Sequence, residues 1–300
     1  MSNKVVARII GGIGNQLFIY AAAKRLALAN AAEIVLDSVS GFERDHQYRR
    51  TFQLDKFNIN CRHATDLERM HPFPRIQRYI RKKINSRRDF NSRNYIFQEN
   101  LDFDERLLHL RFNGSVYLEG YWQSENYFFD IKEKLRSDLI IKTPPGIENH
   151  QTSRLIEKKN AVAIHVRFFD RPELTEDSRI SNNTQPNYYK LAIEIISREI
   201  DNPHFFIFSD DPRSAIQLFK NSTASVTIVD HNVGDSLAYA DLWLMSQCKH
   251  FIIANSTFSW WGAWLSDKPD AIVIAPGVEK TGGQGSWGFK GLIPKSWRQL

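Results

Sequence analysis

The sequence contains little that would cross-link the chain, carry it through a bilayer or bind a metal by motif. Only two of its 300 residues are cysteine, Cys61 and Cys248. Two thiols that far apart give neither a disulfide framework nor a four-ligand zinc site, so a reducing compartment is the expected setting. No stretch approaches about 18 uninterrupted apolar residues, which leaves no candidate for a membrane-spanning helix. The opening MSNKVVARIIGGIGNQ has its apolar run broken by Arg8 and then by glycines, unlike a signal peptide. Internal repeats, low-complexity tracts and zinc-finger or RNA-binding signatures are all missing. The expectation is a soluble cytoplasmic protein with no nucleic-acid partner and no cysteine-based zinc site.

Aromatics and local positive charge are plentiful. Twenty Phe, ten Tyr and seven Trp suit sugar recognition, although most must simply fill the core. The formal charge of +6 is concentrated between residues 62 and 93, where ten Lys and Arg face three Asp and Glu. Within it, RIQRYIRKKINSRR (75–88) places Ile76, Tyr79, Ile80 and Ile84 at helical spacing. This predicts a basic amphipathic helix, either a solvated face or a contact through 75–93 with an anionic membrane surface.

The hydrophobic pattern is that of an α/β protein. A strand (Val5–Ile10), a glycine turn, a helix to about Ala29 and a strand (Glu33–Asp37) form a βαβ opening. Residues 38–118 lack periodicity and are expected to be irregular and partly helical. The prolines of KTPPGIEN (142–149) mark a hinge, dividing the chain into domains 1–145 and 146–300. Beyond it, strands predicted at 161–166, 204–209, 226–229, 251–254 and 271–275 alternate with helices, as in a doubly wound parallel sheet. Ligands of such sheets bind at the carboxyl ends of the strands.

Four segments fall at such ends. In GGIGNQ (11–16), Gly12 and Gly14 would let backbone amides approach a ligand, with Asn15 and Gln16 adding side-chain amides. A plain turn capped by Asn15 explains the segment equally well. A dinucleotide fingerprint needs glycine where Leu17 stands, which disfavours a nicotinamide oxidoreductase. In HVRFFD (165–170), His165 and Arg167 project to one side of a strand, where arginine can grip a phosphate with two nitrogens. A packed histidine beside a surface arginine is the plainer alternative. In FSDDP (208–212), Asp211 before Pro212 reads as a helix cap, leaving Asp210 freer to bind a base or ribose. In NSTFSWWGAWL (255–265), Ser256, Thr257 and Ser259 crowd a helix start, a ready anion site. Trp260, Trp261 and Trp264 have the spacing of core residues.

In this order, the segments resemble the bacterial α-1,2-fucosyltransferases of glycosyltransferase family 11. GYWQSENYFF (120–129), LMSQCKHFIIANSTFSWWGAWL (244–265) and IPKSW (293–297) match further family blocks. The resemblance implies a GT-B-like fold of two Rossmann-like domains with a cleft between them: an acceptor-side domain 1–145 and a donor domain 146–300. It implies GDP-fucose as donor, an inverting reaction, no cofactor and no metal. The acceptor it implies is a galactoside or lipid-linked oligosaccharide, used in surface-polysaccharide (O-antigen-like) synthesis at the inner face of the cytoplasmic membrane. By motif position His165 and Asp210 would contact guanine or ribose, Arg167 the β-phosphate, and Ser256, Thr257 and Ser259 the pyrophosphate. Gly12 and Gly14 would border the donor, and Asn15 would reach towards the reacting centre. Asp170 is the best-placed carboxylate for the general base, or else it orients its loop. Phe168 and Phe169 replace the family's Arg-Gly, and Arg171 is placed to compensate. That departure leaves a second reading open, a non-catalytic sugar-nucleotide-binding relative.

Overall fold

The computed structural model describes residues 2–46, 48–144, 146–168, 184, 186–220, 224–277, 287 and 289–300. The chain divides into two compact units, Met1–Lys142 with Phe289–Leu292, and Thr143–Gly288 with Ile293–Leu300. The division falls in the proline-containing segment marked in the sequence. The return of 289–292 to the first unit has no sequence signal. There Phe103 N donates to Lys290 O (3.0 Å) and the Ser124 hydroxyl to Gly291 O (2.6 Å).

In the first unit, β1 (Lys4–Arg8) leads through α1 (Ile13–Ala29) to β2 (Glu33–Asp37) and β3 (Arg62–His63). Then come α2 (Pro74–Asn85), β4 (Tyr95–Phe97), α3 (Arg106–His109), β5 (Ser115–Glu119) and α4 (Lys132–Asp138). The strands form a parallel sheet in the order β3-β2-β1-β5-β4. Residues 38–118 are therefore more ordered than their pattern predicts. The short β3 and β4 are held by pairing with β2 and β5, and a strand of two or three residues carries no periodicity of its own.

The second unit runs α5 (Ile147–Glu157), β6 (Asn160–Val166), α6 (Pro186–Glu199), β7 (Pro203–Ser209), α7 (Pro212–Ala215) and β8 (Ser225–Val229). It continues with α8 (Ala238–Gln247), β9 (His250–Ile252), α9 (Thr257–Leu265), β10 (Val273–Ala275) and β11 (Arg298–Gln299). All pairs are parallel, in the order β11-β10-β9-β6-β7-β8. Strand alternation sorts the core into two faces. Val162, Ile164, Phe205 and Ile207 pack with Tyr188, Ala192 and Ile196 of α6. Ala161, Ala163, Phe206 and Phe208 pack with Ile156 of α5 and with Leu244 and Met245 of α8. Burial on both faces explains why β6 and β7 read as continuous apolar runs. Helices α8 and α9 touch because Gly262 has no side chain: a Cβ there would lie 2.2 Å from the Met245 sulfur. Trp260 and Trp261 are wholly buried and Trp264 nearly so, the core role that their spacing predicts.

Two parallel-sheet α/β units in one chain are the GT-B-like architecture expected from the sequence. No helix among the described residues is long and apolar enough to cross a membrane.

Candidate active site

Each sheet has one point where the chain reverses its direction of travel. In the second unit the chain enters at β6, steps outward to β7 and β8, then returns to the other side of β6 with β9. The switch point lies between the carboxyl ends of β6 and β9, where an open parallel sheet binds ligands. HVRFFD leaves β6 there, and NSTFSWW leaves β9.

The two segments meet. Ile164 is in register with Ile252, so both loops leave the same sheet edge on adjacent strands. The His165 ring lies 5.2 Å from the Phe258 ring at the start of α9. His165 is 5% exposed and its Nδ1 is buried without a hydrogen-bond partner among the described residues. Burial, aided by the nearby Arg167 charge, pushes its pKa down to about 3. The ring is therefore neutral at physiological pH, and its buried Nδ1 can exchange a hydrogen bond only with a group brought to that face. The Tyr189 hydroxyl fixes the strand end by donating to His165 O (3.1 Å). The Tyr188 hydroxyl reaches Ile253 O (2.7 Å) and Ile274 O (2.8 Å) on the neighbouring strands.

Arg167 stands at the edge with its guanidinium partly exposed. Its Nη1 lies 3.0 Å from Asp210 Oδ2, and Phe168 N donates to Asp210 Oδ1 (2.9 Å). Ser209 is in register with Val166, so the residue after β7 necessarily faces the loop after β6. Asp210 thus orients Arg167 and the 167–168 backbone. The sequence reading left it free for a base or ribose, and in this arrangement both its oxygens are already engaged. Asp211 is the expected cap, accepting from Ser214 N (3.1 Å) and from the Ser214 hydroxyl (2.6 Å).

At the start of α9, Ser256 is the N-cap and accepts from Phe258 N (3.3 Å). Thr257 is half-buried in the first turn, with its hydroxyl unpartnered among the described residues. Asn255 is clamped by Thr184, whose Oγ1 donates to Asn255 Oδ1 (3.2 Å) and accepts from Asn255 N (3.3 Å). Ser259 departs from the expectation. It is 0% exposed and its hydroxyl donates to Ser256 O (3.2 Å), so it braces the first turn and cannot touch a ligand without displacing the helix start. The segment left for an anion is the start of α9 with Thr257, at the end of the strand adjacent to the one that carries Arg167.

The first unit repeats this design. Its switch point lies between β1 and β5, where GGIGNQ and GYWQ emerge. Gly11 adopts φ +75° and Gly12 caps α1 with no side-chain bond, leaving the first amides of α1 open. Gly14 is buried within the first turn. Asn15 lies inside the helix and does not cap it; its Oδ1 accepts from Gln123 Nε2 (2.7 Å). Gln16 is structural: its Nε2 donates to Gly11 O (2.9 Å) and Thr51 O (2.8 Å), and its Oε1 accepts from Gln53 N (2.8 Å).

Sequence reasoning missed Gln123, Thr184 and the Tyr188–Tyr189 pair. It also missed a polar cluster at the carboxyl edge of the first sheet. There Asp37 accepts from the hydroxyls of Tyr117 (2.6 Å) and Ser40 (2.6 Å), and Arg8 Nη1 binds Glu119 (3.1 Å). Asp37 and Glu119 end their strands, and that position was the available signal. Asp170, Phe169 and Arg171 lie outside the described residues. Among the described residues no group of three or more His, Cys, Asp or Glu is arranged to hold a metal.

With that geometry in place, similarity to known proteins becomes informative. Residues 5–281 match the family model "Glycosyl transferase family 11". An "Alpha-1,2-colitosyltransferase" of Escherichia coli is 34% identical over 283 residues, covering 91% of each chain. The "O-antigen biosynthesis glycosyltransferase WbnK" of Escherichia coli is 27% identical over 278 residues, covering 89% of this chain and 91% of the relative. Among solved structures, the NodZ α-1,6-fucosyltransferase of Bradyrhizobium co-crystallized with GDP superposes with a TM-score of 0.53 at 16% identity. That match covers 91% of this chain and 95% of the other, and at that identity it speaks for the GT-B-like fold alone. The family match across nearly the whole length, with the 34% identical relative, settles membership: the chain belongs to glycosyl transferase family 11.

Proposed function

We propose that this protein is an inverting glycosyltransferase that moves L-fucose from GDP-fucose to the 2-hydroxyl of a galactose-type acceptor during O-antigen synthesis. The observation that carries the donor site is the meeting of two segments at one switch point, with His165 against Phe258 and Arg167 at the same sheet edge. An arginine and a serine/threonine-rich helix start at the ends of two adjacent strands are the kinds of group that a diphosphate needs. Family membership and the O-antigen relative support the reaction class and its setting.

In this reading the acceptor oxygen attacks C1 of the sugar while the bond from C1 to the β-phosphate oxygen breaks. Negative charge builds on the departing GDP, and Arg167 with the α9 amides and Thr257 stabilise it. A well-placed donor contributes about 3–4 kcal/mol to such a step. Asp210 holds Arg167 in position, so little reorganisation is needed at the moment of reaction. The acceptor proton goes to a carboxylate, assigned by motif position to Asp170. Asn15, steadied by Gln123, serves the acceptor side from the first unit. Gly12 and Gly14 keep that turn open. The chemistry needs no cofactor and no metal.

The 34% identical colitosyltransferase favours a second reading of the donor. Colitose is L-fucose without its 3-hydroxyl, so the same diphosphate site would serve either sugar, and only contacts to position 3 would discriminate. Incubation with GDP-fucose or GDP-colitose and a panel of β-galactosides, followed by linkage analysis of the products, tests both. An α-1,2-fucosylated galactoside supports the first reading, and exclusive use of GDP-colitose supports the second. GDP binding without transfer from either donor would support the non-catalytic alternative.

A further inference from the structure

Helix α2 (Pro74–Asn85) faces the wrong way for a helix that packs on its own protein. Asn85 is buried and marks the inward side: its Nδ2 donates to Arg81 O (2.8 Å) and its Oδ1 accepts from Asn94 N (3.0 Å). At 100° per residue, Ile76, Ile80 and Ile84 fall on the far side, in line with Phe73 just before the helix. Phe73 is 69% exposed, Ile76 60%, Ile80 48% and Ile84 47%. An apolar stripe four residues long thus points away from the molecule.

Positive charge flanks the stripe. Residues 75–88 contain seven Lys and Arg and no Asp or Glu. Among the described residues none of the seven forms an ion pair, whereas Arg62, Arg93 and Arg106 nearby each have a carboxylate partner. Along one flank of α2, a recess of about 210 Å³ is lined by Arg75, Arg78, Tyr79 and Lys82, with Arg8 and Glu119 from the sheet edge. Arg8 already pairs with Glu119, leaving three cations around the recess uncompensated. Arg78 lies on the inward side of the helix with Asn85, whereas Arg81 and Lys83 border the apolar stripe on either side.

We propose that α2 docks the protein on an anionic lipid bilayer. The Phe73–Ile84 stripe enters the boundary between head groups and acyl chains, and the cations that border it, Arg81 and Lys83, meet lipid phosphates. The helix spans about 18 Å, too short to cross a bilayer and long enough to lie in its plane. A second copy of the chain is the poorer occupant, because a two-fold contact would bring both sets of seven cations together. A nucleic acid would use the charge and leave the apolar stripe exposed. The inference rests on this face alone and does not depend on the transferase reading.

Co-sedimentation of the full-length protein with vesicles of phosphatidylcholine, with and without phosphatidylglycerol, tests it. The expected result is salt-sensitive binding to the anionic vesicles and little binding to the neutral ones. The double variants Ile76→Glu/Ile80→Glu and Arg81→Gln/Lys83→Gln should each weaken binding at least about tenfold. Their thermal midpoints and circular dichroism should match the parent, showing that the fold is intact. Absence of binding to anionic vesicles at low salt would overturn the proposal. So would undiminished binding by the Ile76→Glu/Ile80→Glu variant, the mark of a purely electrostatic polyanion site. A protein dimer that this variant dissociates, with no vesicle binding, would overturn it equally.

Discussion

Arg167 and Asp210 close the carboxyl edge of two adjacent strands: Nη1 lies 3.0 Å from Oδ2, while the other carboxylate oxygen holds Phe168 N at 2.9 Å. The pair fixes a partly exposed cation at the carboxyl end of β6, the strand that borders the switch point. Arg167→Ala should lower turnover at least about 100-fold, the scale of one lost charge-stabilising donor. Steady-state kinetics with GDP-fucose or GDP-colitose checks this.

Asp210→Asn separates positioning from stability. A pair about a quarter exposed contributes on the order of 1 kcal/mol or less to folding, so the thermal midpoint should move little. Turnover should fall about tenfold as Arg167 loses its fixed orientation, with the loss in kcat larger than any change in KM for the donor. An equal loss of stability and activity would instead mark the pair as merely structural.

His165 should give the fold a distinct pH dependence. Burial holds its folded pKa near 3, against an ordinary value of about 6.5. Above pH 6.5 it is neutral in both states and adds no slope. As pH falls from 6.5 towards 3, the unfolded chain takes up a proton that the folded one refuses, and stability declines by up to about 1.4 kcal/mol per pH unit. Urea unfolding of the parent and of His165→Gln across this range should show a slope difference of that sign. Asp241 gives an opposing slope in both proteins, since burial raises its pKa to about 7.

The glycine turn should be selective about which glycine is replaced. Gly11 sits at φ +75°, and a Cβ there would lie 2.7 Å from Asn15 Nδ2. Gly11→Ala should therefore cost about 1–2 kcal/mol and disturb Asn15. Gly12 has φ −70° and its nearest would-be contact is Arg50 at 3.7 Å. Gly12→Ala should leave stability within about 0.5 kcal/mol of the parent, measured by the same unfolding curves.

Transfer should persist in excess chelator. Arg167 and the amides of α9 supply the positive charge that a metal would otherwise bring to the diphosphate. Assays with and without chelator should give equal rates, and a chelator-dependent loss restored by magnesium would call for a metal in the donor site.

The second unit was largely legible because its strands are buried on both faces and its helices are punctuated. Val162–Val166 and Phe205–Phe208 read as apolar runs, and Asp211-Pro212 announces its own helix. The first unit was less so. β3 and β4 are too short to show a period, and although Asn113-Gly114 punctuates the start of β5, the segment before it carries no helical or strand pattern, so their order comes from neighbours in the sheet. At the site, spacing placed Arg167, Ser256 and Thr257 on strand ends and helix starts, where the structure has them. It could not show that Asp210 is held by Arg167, a contact between strands distant in sequence, or that Ser259 turns inward, which depends on the face that α9 buries. Residues such as Gln123 and Thr184 stayed hidden because each contacts a site residue far along the chain, 108 and 71 residues away.

The account turns on two loops gripping one diphosphate. Hydrogen–deuterium exchange of the full-length protein, with and without GDP, addresses that directly. GDP should slow exchange at the amides of 166–168 and 255–259 together, and Arg167→Ala should abolish the effect at both. Protection confined to one loop, or appearing elsewhere in the chain while both remain unchanged, would contradict it.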